Sequence, residues 1–336
     1  MGKWLKVEAL LLAVILVAAV VACVGISNGA FVPVMSDALG STPPDETQNT
    51  TQQTTLPETT EAEPTWMTFP ADRVLTAQQA FVYDCQSGTF SYLMGNQKDK
   101  VYPASITKLF TPYVALQFLE PEDLITAGDA LELVGVGSSI AEIEEGNVLS
   151  VEMLVEAMLL PSGNDAAYIL AAEAGRILKE DTSISASAAV SAFLKEMNGQ
   201  ARALGMSGTH FTNPDGYHDY DHYTTYADLV TIGNLALKNE TIMKHAAVSS
   251  DNAVFESGQT KKWKNTNSLV DPKSEYYCPY ATGLKTGQTP SAGSCLLSSF
   301  DAEGRQYLIG VFGCPEIEDR FEDTLQLLNE TLGITE

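Results

Sequence analysis

Basic residues are scarce in this sequence: 19 lysines and arginines stand against 43 acidic residues, and the net charge is −24. Nucleic-acid phosphates require a basic face, so this balance excludes a nucleic-acid partner. Cysteine is scarce too. Five cysteines without a CxxC pair exclude a disulfide framework and a zinc site of the paired-cysteine kind. No internal repeat is visible, and 336 residues suffice for one folded domain with its own core.

Lysine and arginine are absent from a long apolar run at residues 9–26, which follows Lys3 and Lys6. A basic start followed by such a run is typical of an export signal, and the run is also long enough to span a bilayer. The letters VVAC, ending at Cys23, resemble a bacterial lipobox, in which the cysteine is acylated after cleavage. A lipoprotein, an uncleaved anchor and a cleaved signal therefore remain open. We expect 1–26 to be a signal peptide or membrane anchor, with the rest extracytoplasmic and attached to the cell membrane.

Residues 41–65 contain no Lys, Arg or aromatic residue and are dominated by Thr, Pro and acidic residues. Such a composition buries too little apolar surface to offset chain entropy, so we predict a disordered linker over 27–68. The remaining residues, 69–336, are predicted to form one folded catalytic domain.

Hydrophobic periodicity places strands at both ends of that domain and helices between them. AFVYD and FSYLMG, at 80–84 and 90–95, predict a β-hairpin. Helical spacing follows at 151–160 and again from Val190 to Leu204. ATGLKTG, AGSCLLSSF and QYLIGVFG then predict three strands, with a turn at 301–304 and a final amphipathic helix over 317–332. We therefore expect an α+β fold, with an antiparallel sheet of N- and C-terminal strands and a helical subdomain inserted between them.

Three short segments are candidates for chemistry. In PASITKL, Ser105 stands three residues before Lys108, which places both on one face of a helix that starts there. A desolvated lysine can lose its proton and act as a base, although a capping serine with a solvent-facing lysine is the simpler interpretation of this segment alone. PSGNDAA places Ser162 and Asn164 between two predicted helices, where a turn with a helix cap is the simpler interpretation.

The third segment, GLKTGQT, lies on a predicted strand near the C-terminus. Lys285 and Thr286 can bind a carboxylate there, and Gly287 removes bulk beside an extended peptide. In the order SxxK, SxN, KTG, the three segments resemble the active site of the penicillin-recognising serine hydrolases. With ALGMSGTHFTNPDG and HYTTYADL, the sequence from about Ala80 onward resembles the low-molecular-weight penicillin-binding proteins of peptidase family S11, the D-alanyl-D-alanine carboxypeptidases.

The resemblance implies a β-lactamase/transpeptidase-like fold and a role for each matching residue. Ser105 would be the acylated nucleophile, Lys108 its base, Ser162 a proton relay to the leaving group, and Asn164 a group that orders Lys108 and holds a substrate amide. The implied reaction removes the terminal D-alanine from peptidoglycan stem pentapeptides through an acyl-enzyme, without a cofactor or metal. The implied partners are the stem peptide and, as inhibitors, β-lactams.

On the binding side, the resemblance implies that Lys285 and Thr286 hold the terminal carboxylate, beside Gly287, and that the backbone N–H groups of Ser105 and Gln288 form the oxyanion hole. Gln288 departs from the family's usual histidine. The family often carries an arginine early in the last strand, where this sequence has Tyr307, and we expect Arg305, two residues earlier, to substitute for it.

Two rival functions remain at this stage. A serine β-lactamase of the glutamate-assisted type would carry a Glu-x-x-x-Asn segment between the second and third motifs, and the sequence has none there. A non-catalytic penicillin-sensing or wall-binding module would have a degenerate site. A cluster of His210, His218 and His222 with nearby aspartates suggests a metal site, but the segment is rich in Pro, Gly and Asp, and we interpret it as a surface loop without metal.

Overall fold

The computed structural model describes residues 73–302 and 304–334. The predicted signal or anchor at 1–26, with Cys23, the predicted linker at 27–68 and the first residues of the predicted domain at 69–336 lie outside the described residues. Within the described part, no helix is both long and apolar enough to cross a membrane.

An antiparallel five-stranded sheet in the order β2-β1-β11-β10-β9 forms the centre of the fold. Its strands are β1 (Gln79–Asp84), β2 (Thr89–Met94), β9 (Ala281–Thr289), β10 (Gly293–Ala302) and β11 (Arg305–Cys314). The short strands between them are β3 (Lys100–Val101), β4 (Leu124–Thr126), β5 (Val148–Ser150), β6 (Thr224–Thr225), β7 (Ser250–Val254) and β8 (Thr260–Lys264). The N-terminal hairpin pairs with the last strand, Val82 lying opposite Ile309. The predicted α+β fold is confirmed.

The helices lie mainly between the two ends of the chain. They are α1 (Phe110–Ala115), α2 (Val151–Leu159), α3 (Asn164–Lys179), α4 (Ala186–Ala203), α5 (Tyr226–Leu237), α6 (Glu240–Ala246) and α7 (Asp319–Leu332), with 3-10 helices at Ala104–Leu109, Asp129–Leu133 and Ser268–Val270. Gly205, with φ 81°, follows α4 in the left-handed conformation that commonly ends a helix.

The sheet is buried on both faces because successive side chains of a strand point in opposite directions. In β1, Phe81 packs into the core formed with the inserted helices, whereas Val82 packs into a second core with α7. In β10, Leu297 packs into the core with the inserted helices and Leu296 into the core with α7. This explains why the C-terminal strands are almost continuously apolar.

Two local predictions need correction. The turn between β10 and β11 is tighter than the predicted 301–304, because Ala302 already pairs with Arg305. The helix predicted at Ser105 begins as a 3-10 helix and becomes α-helical only at Phe110.

Candidate active site

The 3-10 helix Ala104–Leu109 aligns the first two candidate residues. In a helix with three residues per turn, side chains three positions apart lie directly above each other. Lys108 Nζ accordingly donates to Ser105 Oγ over 2.8 Å. Ser105 caps no helix, since Pro103 occupies the cap position without a side-chain bond. The capping interpretation of Ser105 is therefore wrong. Ala104 precedes it with φ 48°, a left-handed conformation that is uncommon for alanine.

Lys108 is fully buried and donates hydrogen bonds to three oxygens. Besides Ser105, its Nζ reaches Asn164 Oδ1 at 2.6 Å and the backbone oxygen of Asp215 at 2.8 Å. Burial lowers the pKa of Lys108 to about 8, against the opposing effects of Asp215 and Asp165. A lysine with this pKa is partly neutral near physiological pH, which lets its amine accept a proton.

The loop between α2 and α3 carries Ser162 and Asn164, both buried. Ser162 has φ 64°, and a Cβ at Gly163 would lie 2.6 Å from Asp165 Oδ1, so the turn requires glycine there. Asn164 is the first residue of α3 and points its carbonyl at Lys108. Asp165 accepts hydrogen bonds from the backbone N–H groups of Ala141 and Ile143, which ties a neighbouring wall of the site to α3.

The third segment lies on β9, packed against the 3-10 helix. A Cβ at Gly287 would lie 2.8 Å from Pro103 O and 3.3 Å from the Ser105 nitrogen, so only glycine permits this approach. Lys285 is buried; burial, together with the charges of Lys108 and Arg320, holds its pKa well below its usual range. The Thr286 hydroxyl lies 2.6 Å from that of Thr266.

The expected placement of Arg305 is wrong. Arg305 opens β11 at the far end of the sheet, where its guanidinium binds Asp84 Oδ2 at 2.5 Å and is half exposed. Tyr307, two residues further along β11, is buried and pairs with Asp84 of β1 on one side and Phe300 of β10 on the other. The arginine that does approach the site is Arg320 on α7.

Arg320 is buried, and its Nη1 lies 3.5 Å from Gly287 O. Its Nε has no hydrogen-bond partner among the described residues. Arg320 was not among the predicted site residues, because the resemblance pointed to an arginine in the last strand and not to the helix after it. The sequence does contain a pattern that indicates its burial. At helical spacing, Arg320 falls on the same face of α7 as Thr324 and Leu327, which are buried.

A cavity of about 480 Å³ opens above Ser105. Asn164, Gln288, Tyr217 and His218 are among the residues that line it. The Tyr217 hydroxyl donates to Val136 O over 3.2 Å and so connects two segments of the cavity lining. Gln288 is exposed at the end of β9, as a residue facing a ligand would be.

The three histidines of the predicted surface loop lie in different environments. His218 contacts Ser291 at the cavity rim, and His210 contacts the backbone oxygen of Asp221. His222 is buried, contrary to the surface prediction. Its Nε2 lies 2.8 Å from Thr107 Oγ1, and burial lowers its pKa to about 3. Among the described residues, no group of three His, Cys, Asp or Glu side chains is arranged to hold a metal ion.

Comparison with known proteins gives one consistent family. The family model described as D-alanyl-D-alanine carboxypeptidase, Peptidase_S11, matches residues 67–315. The D-alanyl-D-alanine carboxypeptidase of Streptomyces sp. (strain K15) is 31% identical over 74% of this chain and 84% of its own. DacF of Bacillus subtilis (strain 168) is 27% identical over 75% of this chain, and DacD of Escherichia coli (strain K12) is 29% identical over 70%. The chain spans only 61% and 58% of these last two proteins.

Solved structures give the same fold. The crystal structure of the Streptomyces K15 DD-transpeptidase superimposes with a TM-score of 0.69 at 28% identity, covering 78% of this chain and 98% of that one. Penicillin-binding protein D2 from Listeria monocytogenes, in its ampicillin-bound form, gives a TM-score of 0.61 at 26% identity over 76% of this chain and 97% of that one.

Proposed function

Because the chain belongs to the D-alanyl-D-alanine carboxypeptidase family, peptidase S11, we propose that it is a serine DD-carboxypeptidase. It removes the terminal D-alanine from peptidoglycan stem pentapeptides through an acyl-enzyme, and penicillin inhibits it by acylating the same serine. The observation that carries this function is the contact of the buried Lys108 amine with Ser105 Oγ at 2.8 Å. A weak nucleophile is activated by a base held at this distance.

The proposed acylation begins with Ser105 Oγ attacking the carbonyl between the two D-alanines. As the Oγ–C bond forms, the hydroxyl proton passes to Lys108 Nζ, and Ser162 relays a proton to the departing amine. Asn164 keeps the Lys108 amine in place through its 2.6 Å hydrogen bond, and its side-chain amide holds a substrate amide. Water then hydrolyses the ester to release the shortened peptide.

The carboxylate of the leaving D-alanine is bound beside β9. Lys285 and Thr286 provide the direct contacts, and Gly287 leaves room for the substrate. The buried guanidinium of Arg320 adds the positive charge that was expected from Arg305. The backbone N–H groups of Ser105 and Gln288 stabilise the oxyanion. Specificity for a free C-terminus follows, because the buried cations are unfavourable without an anion.

The catalytic domain, 69–336, acts on the cell wall and hence outside the cytoplasmic membrane. Residues 1–26 hold it at the membrane as an anchor or, through Cys23, as a lipid-modified segment, and 27–68 act as the tether. Labelling of cells with a radioactive fatty acid, compared between the natural chain and Cys23→Ala, distinguishes the lipid from the anchor.

The function is tested by incubating the protein with a fluorescent penicillin and, separately, with a pentapeptide-containing muropeptide. We expect stable labelling and release of free D-alanine, both lost in Ser105→Ala. Ser183→Ala is the matched control, because this hydroxyl bonds only to Asp181 on the surface. Rapid penicillin turnover would indicate a serine β-lactamase instead. No labelling and no D-alanine release would indicate a non-catalytic module and overturn the proposal.

A further inference from the structure

Asp215 is a buried carboxyl beside the proposed base, and the mechanism above does not use it. Its side chain has 0% exposure. Oδ1 accepts a hydrogen bond from the Tyr217 backbone N–H at 3.2 Å, whereas Oδ2 has no hydrogen-bond partner in the described part of the chain. An unpaired carboxylate oxygen in the interior is unfavourable unless a neighbouring positive charge offsets it.

The backbone around Asp215 is fixed against the nucleophile segment. Lys108 Nζ donates to the backbone oxygen of Asp215 at 2.8 Å, and Thr111 Oγ1 donates to Pro214 O at 2.6 Å. Gly216 has φ 81°, and a Cβ there would lie 1.8 Å from Ala104 O. The segment therefore approaches Ser105 as closely as a backbone can, and the Asp215 carboxyl has no free path to water.

The charged and titratable groups around this pair come from several elements. Those acting on Lys108 or Asp215 are Asp165 and Tyr168 on α3, Lys285 on β9 and His222 from the loop before β6. The Asp165 carboxylate already accepts hydrogen bonds from three backbone N–H groups, those of Ala141, Ile143 and Ala166. Burial raises the pKa of Asp215, and the Lys108 charge opposes that rise; Asp215 in turn is the first group that opposes the lowering of the Lys108 pKa.

We propose that Asp215 is a positioning residue that stabilises the proton on Lys108 and thereby sets the pH at which Ser105 becomes nucleophilic. This inference rests on the proposed function. When the Ser105 Oγ–H bond breaks and the Oγ–C bond forms, the proton moves to Lys108 Nζ. The new ammonium is then held by the Asp215 backbone oxygen, with the buried carboxylate of the same residue as a neighbouring negative charge, until the proton passes on to the leaving amine. Among the described residues, the Asp215 side chain makes no hydrogen bond or ion pair with Ser105 or Lys108, and the contact with the Lys108 amine is made by the Asp215 backbone oxygen.

The experiment measures the second-order rate constant of acylation by a fluorescent penicillin from pH 5 to 9, with the full chain and with Asp215→Asn. Loss of the carboxylate lowers the pKa of Lys108 further, so more of the amine is neutral at low pH. The acid limb of the pH profile is the range in which the acylation rate rises with pH. We expect this limb to move to lower pH by about one unit in the variant. Above the limb the variant is slower than the natural chain, because the ammonium formed in the reaction is less stabilised. The two pH profiles therefore cross.

Asp219→Asn is the matched control, since it removes one carboxylate from the same segment at an exposed position. Its acid limb is expected to coincide with that of the natural chain. A lower acylation rate of Asp215→Asn by the same factor at every pH would mean that the carboxyl only shapes the segment, and would overturn the inference. An unchanged limb would do the same.

If Asp215→Asn does not fold, as judged by circular dichroism, Asp215→Ser removes the same charge with a smaller side chain and carries the same expectation. Independently, the carboxyl carbon resonance of Asp215 in the natural chain is expected to respond across the acid limb of acylation. A resonance that stays constant there would contradict the coupling. A natural chain that penicillin acylates at no pH would overturn the proposed function together with this inference, whereas acylation with an unchanged limb overturns the inference alone.

Discussion

Substituting Gly287 by alanine tests whether the close approach of β9 to the nucleophile segment controls acylation. The new Cβ would lie 2.8 Å from Pro103 O and 3.0 Å from the Ala104 Cβ. Ordinary contacts begin at 3.4 Å, so the strand and the 3-10 helix must separate by about 0.6 Å. The backbone conformation of Gly287 is not left-handed, so the added methyl group acts only through its steric overlap with neighbouring atoms.

We expect two measurable consequences of Gly287→Ala. Overpacking lowers the free energy of unfolding by about 1–3 kcal/mol, which urea denaturation measures. Displacement of Ser105 from the carboxylate site and from the proposed oxyanion N–H of Gln288 lowers the penicillin acylation rate by about tenfold, given that a 1 Å misplacement can cost about a hundredfold.

Gly199→Ala is the control for the same chemical change elsewhere. Gly199 lies in α4 with nothing within 4 Å of the added Cβ, so alanine is expected to raise stability by about 0.5–1 kcal/mol and leave acylation unchanged. If Gly287→Ala loses stability but acylates at the natural rate, the approach of β9 is a packing feature only, and the reasoning is refuted.

Three further changes follow from buried charges. Arg320→Gln removes a positive charge next to Lys285, so the pKa of Lys285 rises and the KM for a peptide with a free C-terminal carboxylate increases by about tenfold in steady-state assays. Asp165→Ala deprives the N–H of Ala141 of its acceptor, and urea denaturation should show a loss of about 1–3 kcal/mol. Burial raises the pKa of Glu156 from 4.5 to about 8, so the folded state holds a proton that the unfolded state has lost. Stability therefore falls as pH rises from 4.5 to 8, and Glu156→Gln is expected to flatten that decline in thermal melts.

The sheet and the terminal helix were predictable because their signals are local. The two apolar runs AFVYD and FSYLMG, the apolar C-terminal strands and the amphipathic final helix are each visible in a short stretch of sequence, and the structure has the hairpin, β10, β11 and α7 where these patterns indicate them. The order of the three motifs also indicated that Ser105, Lys108 and Asn164 would meet, and their side chains do lie within hydrogen-bond distance.

What the sequence did not predict depends on packing between distant segments. Nothing local in PASITKL distinguishes a 3-10 helix from an α-helix, because the close approach of β9 and Gly216 determines it. Arg305 and Arg320 are both arginines near the last strand, and only the register of β11 and the docking of α7 decide which one approaches the site. The catalytic and binding roles of the site residues stay predictions until the variants above are measured.

The chain as a whole is acidic, whereas Lys285 and Arg320 place buried basic side chains beside β9. The net charge of −24 comes largely from exposed carboxylates, whose effect decays over a Debye length of about 8–10 Å at physiological salt. Lys285 and Arg320 are buried, where water screens their charges little and each charge costs desolvation free energy. We expect a carboxylate that binds beside β9 to offset that cost, and a neutral or amidated end not to do so. We therefore expect the same burial that lowers the pKa of Lys285 to make the site selective for a free carboxyl terminus, a property about which the composition of the chain carries no information.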